Sequence, residues 1–147
     1  MLRCSEVLTV VFLTSVDQAV KALTAGQAMM LIPGVIRINY TENRGFSLGM
    51  FSESGTPALV LSTLVLVAVL LFLLRLQPSS RLRIPLTLVV AGALGNLIDR
   101  VFLGYVRDMF ELLFIRFYIF NPADICITGG AALGIILTLL PGGKETA

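Results

Sequence analysis

The sequence predicts an all-α membrane protein of four transmembrane helices, with a short amphipathic strand or hairpin and an interfacial segment outside the bilayer. Three observations carry this. Of 147 residues, 56% are hydrophobic and 14% charged, and the mean hydropathy of +0.92 lies outside the range of water-soluble domains. Four stretches, at approximately 5–23, 57–75, 84–103 and 120–140, are apolar over the roughly 20 residues that a helix needs to cross a bilayer. In "GVIRINYTENRG", Ile36, Ile38 and Tyr40 alternate with Arg37, Asn39 and Thr41, the period-two pattern of a strand with one face on an apolar surface.

The first span opens with "MLRC" and continues as an apolar run without a small-residue cleavage site before Asp17, the pattern of a retained helix. Its last two turns carry Asp17 and Lys21, spaced i, i+4 and able to neutralise each other on one helix face. After the loop at 24–56 comes "PALVLSTLVLVAVLLFLLR", featureless aliphatic sequence suited to a scaffold facing lipid. The link "RLQPSSRLR" packs Arg75, Arg81 and Arg83 together, a cytoplasmic density of positive charge that places Arg3 and Lys144 on the same side. The longer loops carry Arg37, Arg44, Arg100, Arg107 and Arg116, so density and not raw count sets this orientation.

Span three ends with Asn96, Asp99 and Arg100 at i, i+3 and i+4, expected on one face as a hydrogen-bond network or a ligand contact. The loop at 104–119 contains "MFELLFIRFYIF", apolar enough to lie in the interface as a helix or to add a strand. Span four opens "FNPAD": Asn121 is a favoured N-cap, Pro122 suits the first helical position, and Asp124 falls in the first turn, where the helix dipole favours negative charge.

Composition narrows the chemistry. A net charge of +2, scattered along the chain, is no nucleic-acid surface. With no histidine, an imidazole base and a His-bearing metal site are both excluded. Cys4 and Cys126 show no CxxC spacing and read as small packing residues. Carboxylates, lysine or cysteine remain for catalysis.

Alternating spans bring the end of span one, the end of span three and the start of span four to the same face of the membrane. Ionisable groups in apolar spans cost about 2.5–3.5 kcal/mol each at the helix centre, so they gather at interiors and polar cavities. Each group also has a plain structural role: Asp17 with Lys21 as an internal pair, Asp124 as a capping residue, Asp108 as a solvated loop charge. An ion-coupled carrier would spread such groups through the membrane depth and show inverted repeats. A Ser–Lys peptidase built on Lys21 would need a serine partner, and Ser15, Ser47 and Ser52 stand in no recognisable setting.

Taken together, "DQAVK" at 17–21, "NRG" at 43–45, "GALGNLIDRVFLGYVRD" at 92–108 and "FNPAD" at 120–124 resemble the motifs of the lipoprotein signal peptidase (signal peptidase II) family, in the family's order and over nearly the whole chain. The resemblance implies one membrane domain over 1–147, with four transmembrane helices and a small external sheet that cradles substrate. It implies a catalytic pair, Asp108 and Asp124, and no metal or cofactor. Asn43, Gly45, Asn96, Arg100 and Asn121 would bind substrate, with Asn43 and Arg100 holding its backbone; Asp17, Lys21, Asp99 and Ala123 would support the site. The implied reaction removes signal peptides from diacylglyceryl-modified bacterial prolipoproteins on the N-terminal side of the lipidated cysteine. The implied setting is the inner membrane, among its lipids, as a monomer with cytoplasmic termini and the site on the outer face. Two departures stand out. Leu48 occupies a position where Phe is common, with Phe46 beside Gly45, and Met109 follows Asp108 where Phe is common.

Overall fold

The computed structural model describes residues 2–45, 55–77 and 79–140. Phe46, Ser47, Leu48, Ser52 and Lys144 lie outside the described residues. In chain order the elements are α1 (Cys4–Leu23), β1 (Ala28–Ile32), β2 (Ile36–Asn43), α2 (Gly55–Arg75), α3 (Arg83–Leu103), β3 (Val106–Leu112) and α4 (Pro122–Leu139). Among the described residues, α2, α3 and α4 are long and apolar enough to cross a membrane. At 20 residues α1 matches them in length, but it carries three charges, Glu6, Asp17 and Lys21.

Helix α3 is the hub, packing against α1, α2 and α4. Leu66 and Leu73 of α2 and Val90 of α3 form a buried core cluster. Close approach of α3 to α4 depends on missing side chains. A Cβ at Gly92 would overlap the Ala123 carbonyl, and one at Gly130 would lie 2.6 Å from the Pro85 carbonyl oxygen. Small residues serve this purpose at helix interfaces in lipid, where backbone proximity replaces the hydrophobic drive. The outward faces stay greasy, with Phe102 80% and Leu139 79% exposed.

Gly95 has a more specific task, because a Cβ there would lie 2.6 Å from Asp17 Oδ2 and 3.3 Å from the Ala123 Cβ. Asp17 cannot retreat, being held by Lys21 at 2.9 Å and by the Ala123 amide at 2.9 Å. Gly95→Ala is therefore expected to destabilise the fold by about 1–3 kcal/mol, read as a lower melting temperature in detergent; an unchanged melting temperature would contradict the packing described.

The three strands form one antiparallel sheet in the order β1-β2-β3. Alternation at 36–41 correctly marks β2, and "MF" onward contributes to a strand, β3, rather than a helix. The pattern gave no sign of β1: "AMMLI" does not alternate, and all five residues are exposed. Gly104 ends α3 in the left-handed conformation, φ +80°, its amide donating to the Arg100 carbonyl. That conformation suits glycine, and it turns the chain into β3 within two residues. Backbone bonds then tie β3 to the start of α4: the Met109 and Phe110 amides donate to the Phe120 carbonyl, and the Phe120 amide donates back to Phe110.

Candidate active site

The tie between β3 and Phe120 brings Asp108 and Asp124 to one cavity of about 320 Å³. Asn43, Asn96, Arg100 and Val106 also line it. On β3, Val106 and Asp108 point to the cavity while Arg107 points away, as strand alternation requires. Asp108 is 3% exposed. Its Oδ1 accepts from Asn121 Nδ2 at 2.6 Å and its Oδ2 from Asn43 Nδ2 at 2.9 Å. Asn43 comes from β2, where its neighbour Thr41 pairs with Asp108.

Asn121 caps α4 as its sequence position predicts. Its Oδ1 accepts from the Asp124 amide at 3.0 Å, and Asp124 Oδ2 accepts in return from the Asn121 amide at 3.2 Å. The cap leaves Asn121 Nδ2 free to donate both to Asp108 and to Asn96 Oδ1, 3.1 Å away. One side chain thus starts the helix, fixes the backbone of one carboxylate and holds the other.

The second bridge is Asn96, whose Nδ2 donates to Asp124 Oδ1 at 2.8 Å and whose Oδ1 accepts from Lys21 Nζ at 2.9 Å. An ammonium only donates, so Lys21 dictates which way this amide points. Lys21 is fully buried, and it also pairs with Asp17 at 2.9 Å and Asp99 at 3.4 Å. Asp17 in turn accepts from the Ala123 amide, steadying the first turn of α4.

The hydrogen-bond network expected at Asn96, Asp99 and Arg100 is present, with Asn96 and Asp99 both meeting Lys21 of α1. Asn96 and Arg100 line the cavity, whereas Asp99 turns behind it to Lys21 and Arg107. The i+3 position sits about 60° round the helix from i, enough to reach a different neighbour. Arg100 reaches the rim, where its Nη2 donates to the Gly45 carbonyl at 3.2 Å; the Gly45 amide donates to Asn43 Oδ1 at 3.2 Å.

Two members of the network had no assigned role in the sequence. Gln18 donates to Asp17 Oδ2, the Gly95 carbonyl and Asp99 Oδ1, each at 3.1 Å. Arg107 donates to Asp99 Oδ1 at 2.7 Å and to Gln18 Oε1 at 2.8 Å. Both lie inside quoted motifs, and alternation away from Asp108 was the available signal for Arg107. The ion pair with Asp99 holds the Arg107 guanidinium above its usual range.

Electrostatically, the Asp108 carboxyl is pushed up to about 6, first by burial and then by the Asp124 charge, against the pull of its two asparagine donors. A buried carboxyl so placed keeps its proton to a higher pH than an exposed one and can donate it. Among the described residues, no three His, Cys, Asp or Glu are grouped to hold a metal ion.

Comparison with known proteins converges on one description. The family model described as signal peptidase (SPase) II matches residues 9–140. A lipoprotein signal peptidase of Clostridium acetobutylicum is 38% identical, covering 86% of this chain and 85% of that protein. One from Streptococcus thermophilus is 39% identical, covering 85% and 86%. A solved bacterial membrane enzyme superposes with a TM-score of 0.85 at 32% identity, covering 97% of this chain and 94% of the other.

Proposed function

The chain belongs to the signal peptidase II family, and from that premise we propose that it is an aspartic endopeptidase in which Asp108 and Asp124 are the catalytic pair. Its substrates are bacterial prolipoproteins carrying diacylglyceryl on the lipobox cysteine, and it releases their signal peptides by cleaving on the N-terminal side of that cysteine. The observation that carries this reading is the shared cavity: two carboxylates from different elements border one space, each held by an asparagine that also touches the other's support.

Two neighbouring acids cannot both ionise cheaply, so they hold one proton between them and titrate as a unit. Asp108 carries that proton. Asp124, at a helix N-terminus that favours negative charge, is the base. It draws a proton from a water as the oxygen attacks the scissile carbonyl, while Asp108 donates towards the carbonyl oxygen. Roles then reverse: Asp124 passes its new proton to the leaving amine, and Asp108 recovers its own. Asn43, Gly45 and Arg100 stand where an extended backbone would run along the rim, and Asn96, Asn121, Asp17, Lys21, Asp99 and Ala123 keep the acids in register.

The direct test is cleavage of a diacylated prolipoprotein by the purified protein, with the product mass locating the cut before the modified cysteine. An uncut substrate would refute the reading. The pH profile supplies a further check. An acid with a raised value keeps its proton below that value and loses it above, so kcat/KM, which reports the free enzyme, is expected to decline as pH rises past about 6. A kcat/KM that climbs steadily from pH 6 to 8 would contradict Asp108 as the acid.

We further propose that α1 crosses the bilayer as a fourth span, with both termini cytoplasmic, the sheet and site outside, and the chain acting as a monomer in the inner membrane. Its charges are met inside the bundle, Glu6 by Arg83 at 2.6 Å and Lys21 by Asp17 and Asp99. Cys4 and Thr41 are both exposed. In a Cys126→Ala background, an impermeant maleimide should label Cys4 and a cysteine replacing Thr41 from opposite sides of sealed vesicles. Labelling from one side would rule out the crossing.

A further inference from the structure

Helices α2 and α4 both pack on α3 and, among the described residues, their Cα atoms stay more than 8 Å apart. A groove is left between them. Its upper part is the cavity that holds the carboxylates, bordered by Leu61 and Val65 of α2, Ala93 of α3 and Ile127 of α4. A second cavity of about 440 Å³ lies further along the same three helices, bordered by Val69 and Phe72 of α2, Val89 and Leu86 of α3, and Ala131 and Gly134 of α4. The α2 residues run i, i+4, i+8, i+11 and the α4 residues i, i+4, i+7, so each helix lends one continuous apolar stripe to both cavities.

We propose that this groove holds the apolar segment of the substrate's signal peptide as a helix, its C-terminal end delivered to Asp108 and Asp124. The inference rests on the peptidase reading and adds to it where the rest of the substrate lies. The stripes of α2 and α4 that line both cavities select this occupant over a lipid chain, because a helix whose end reaches the carboxylates would follow the same two faces away from them. Length agrees as well. From Asn96, which holds Asp124, to Leu82 at the far end is ~21 Å along α3, and the apolar region of a signal peptide, about 7–15 residues, spans ~10–22 Å as a helix. Gly134 forms part of the floor, where a Cβ would meet nothing nearer than Pro85 Cβ at 3.6 Å. A larger side chain there is expected to extend into the groove without displacing the bundle.

The test uses the full-length protein in vesicles with a synthetic diacylated prolipoprotein carrying its complete signal peptide. A photoreactive benzophenone side chain is placed at Val69 or Ala131 in the groove, or at Val67 or Ile136, which are exposed outside it. Cross-links to the signal peptide are expected from Val69 and Ala131 and not from Val67 or Ile136. Gly134→Leu is expected to raise KM about tenfold, the worth of one aliphatic contact, with kcat nearly unchanged. Equal labelling from both sets, labelling of lipid alone, or an unchanged KM overturns the groove while cleavage by the wild type continues. Absence of cleavage by the wild type would instead remove the peptidase reading itself.

Discussion

Asp124→Asn is expected to lower turnover at least about 10³-fold, and Asp108→Asn likewise, with the protein still folded and inserted. General acid and general base steps each contribute about 10²–10⁴-fold, and an amide supplies neither. The structural cost is smaller. Asp124 accepts one bond on each oxygen, from Asn96 and from the Asn121 amide; Asp108 does the same with Asn121 and Asn43. An asparagine keeps one acceptor and turns an NH2 towards a donor, a mismatch of about 1–3 kcal/mol. Cleavage of diacylated substrate and the melting temperature, measured on the same preparations, separate the two effects. Wild-type turnover in either variant would contradict the assignment, and loss of insertion would return Asp124 to a purely capping role.

Lys21→Met is expected to be the most damaging change to stability, at about 3–5 kcal/mol, because it strands buried charge instead of merely deleting a contact. Lys21 is 0% exposed and donates to three groups: Asp17, Asp99 and Asn96. Asp99 retains Arg107, whereas among the described residues Asp17 keeps Gln18 and the Ala123 amide, neither of them charged. Adding Asp17→Asn to Lys21→Met should therefore recover part of the loss, seen as a partial return of the melting temperature in detergent. Full stability in Lys21→Met would show that the ammonium does not organise this cluster.

The helices were legible because their signals are local. Apolar runs are bounded by Arg75, by Arg83 and by the Leu103–Gly104 boundary, so span limits read from sequence fall within about two residues of the observed helices. The cap at Asn121 and the position of Asp124 were equally local. Strand β1 was not, since its exposed AMMLI sequence gains its identity only by pairing with β2. The same limit explains the polar network. Lys21 meets Asn96, and Gln18 meets Asp99, across more than 70 residues of chain, and no periodicity within one helix says which partner lies opposite. Asp99 behind the site and Arg107 beside it follow from how α1 and β3 pack on α3, not from any spacing along α3.

The central claim is that Asp108 and Asp124 act as one unit on one proton. It is tested most directly by measuring turnover of a diacylated prolipoprotein by Asp108→Asn, Asp124→Asn and the double variant under identical conditions. All three should share the same residual rate, because removing either member of a unit removes the whole. A double variant slower than either single by the product of their separate effects, or a single that still turns over at an appreciable rate, would contradict it.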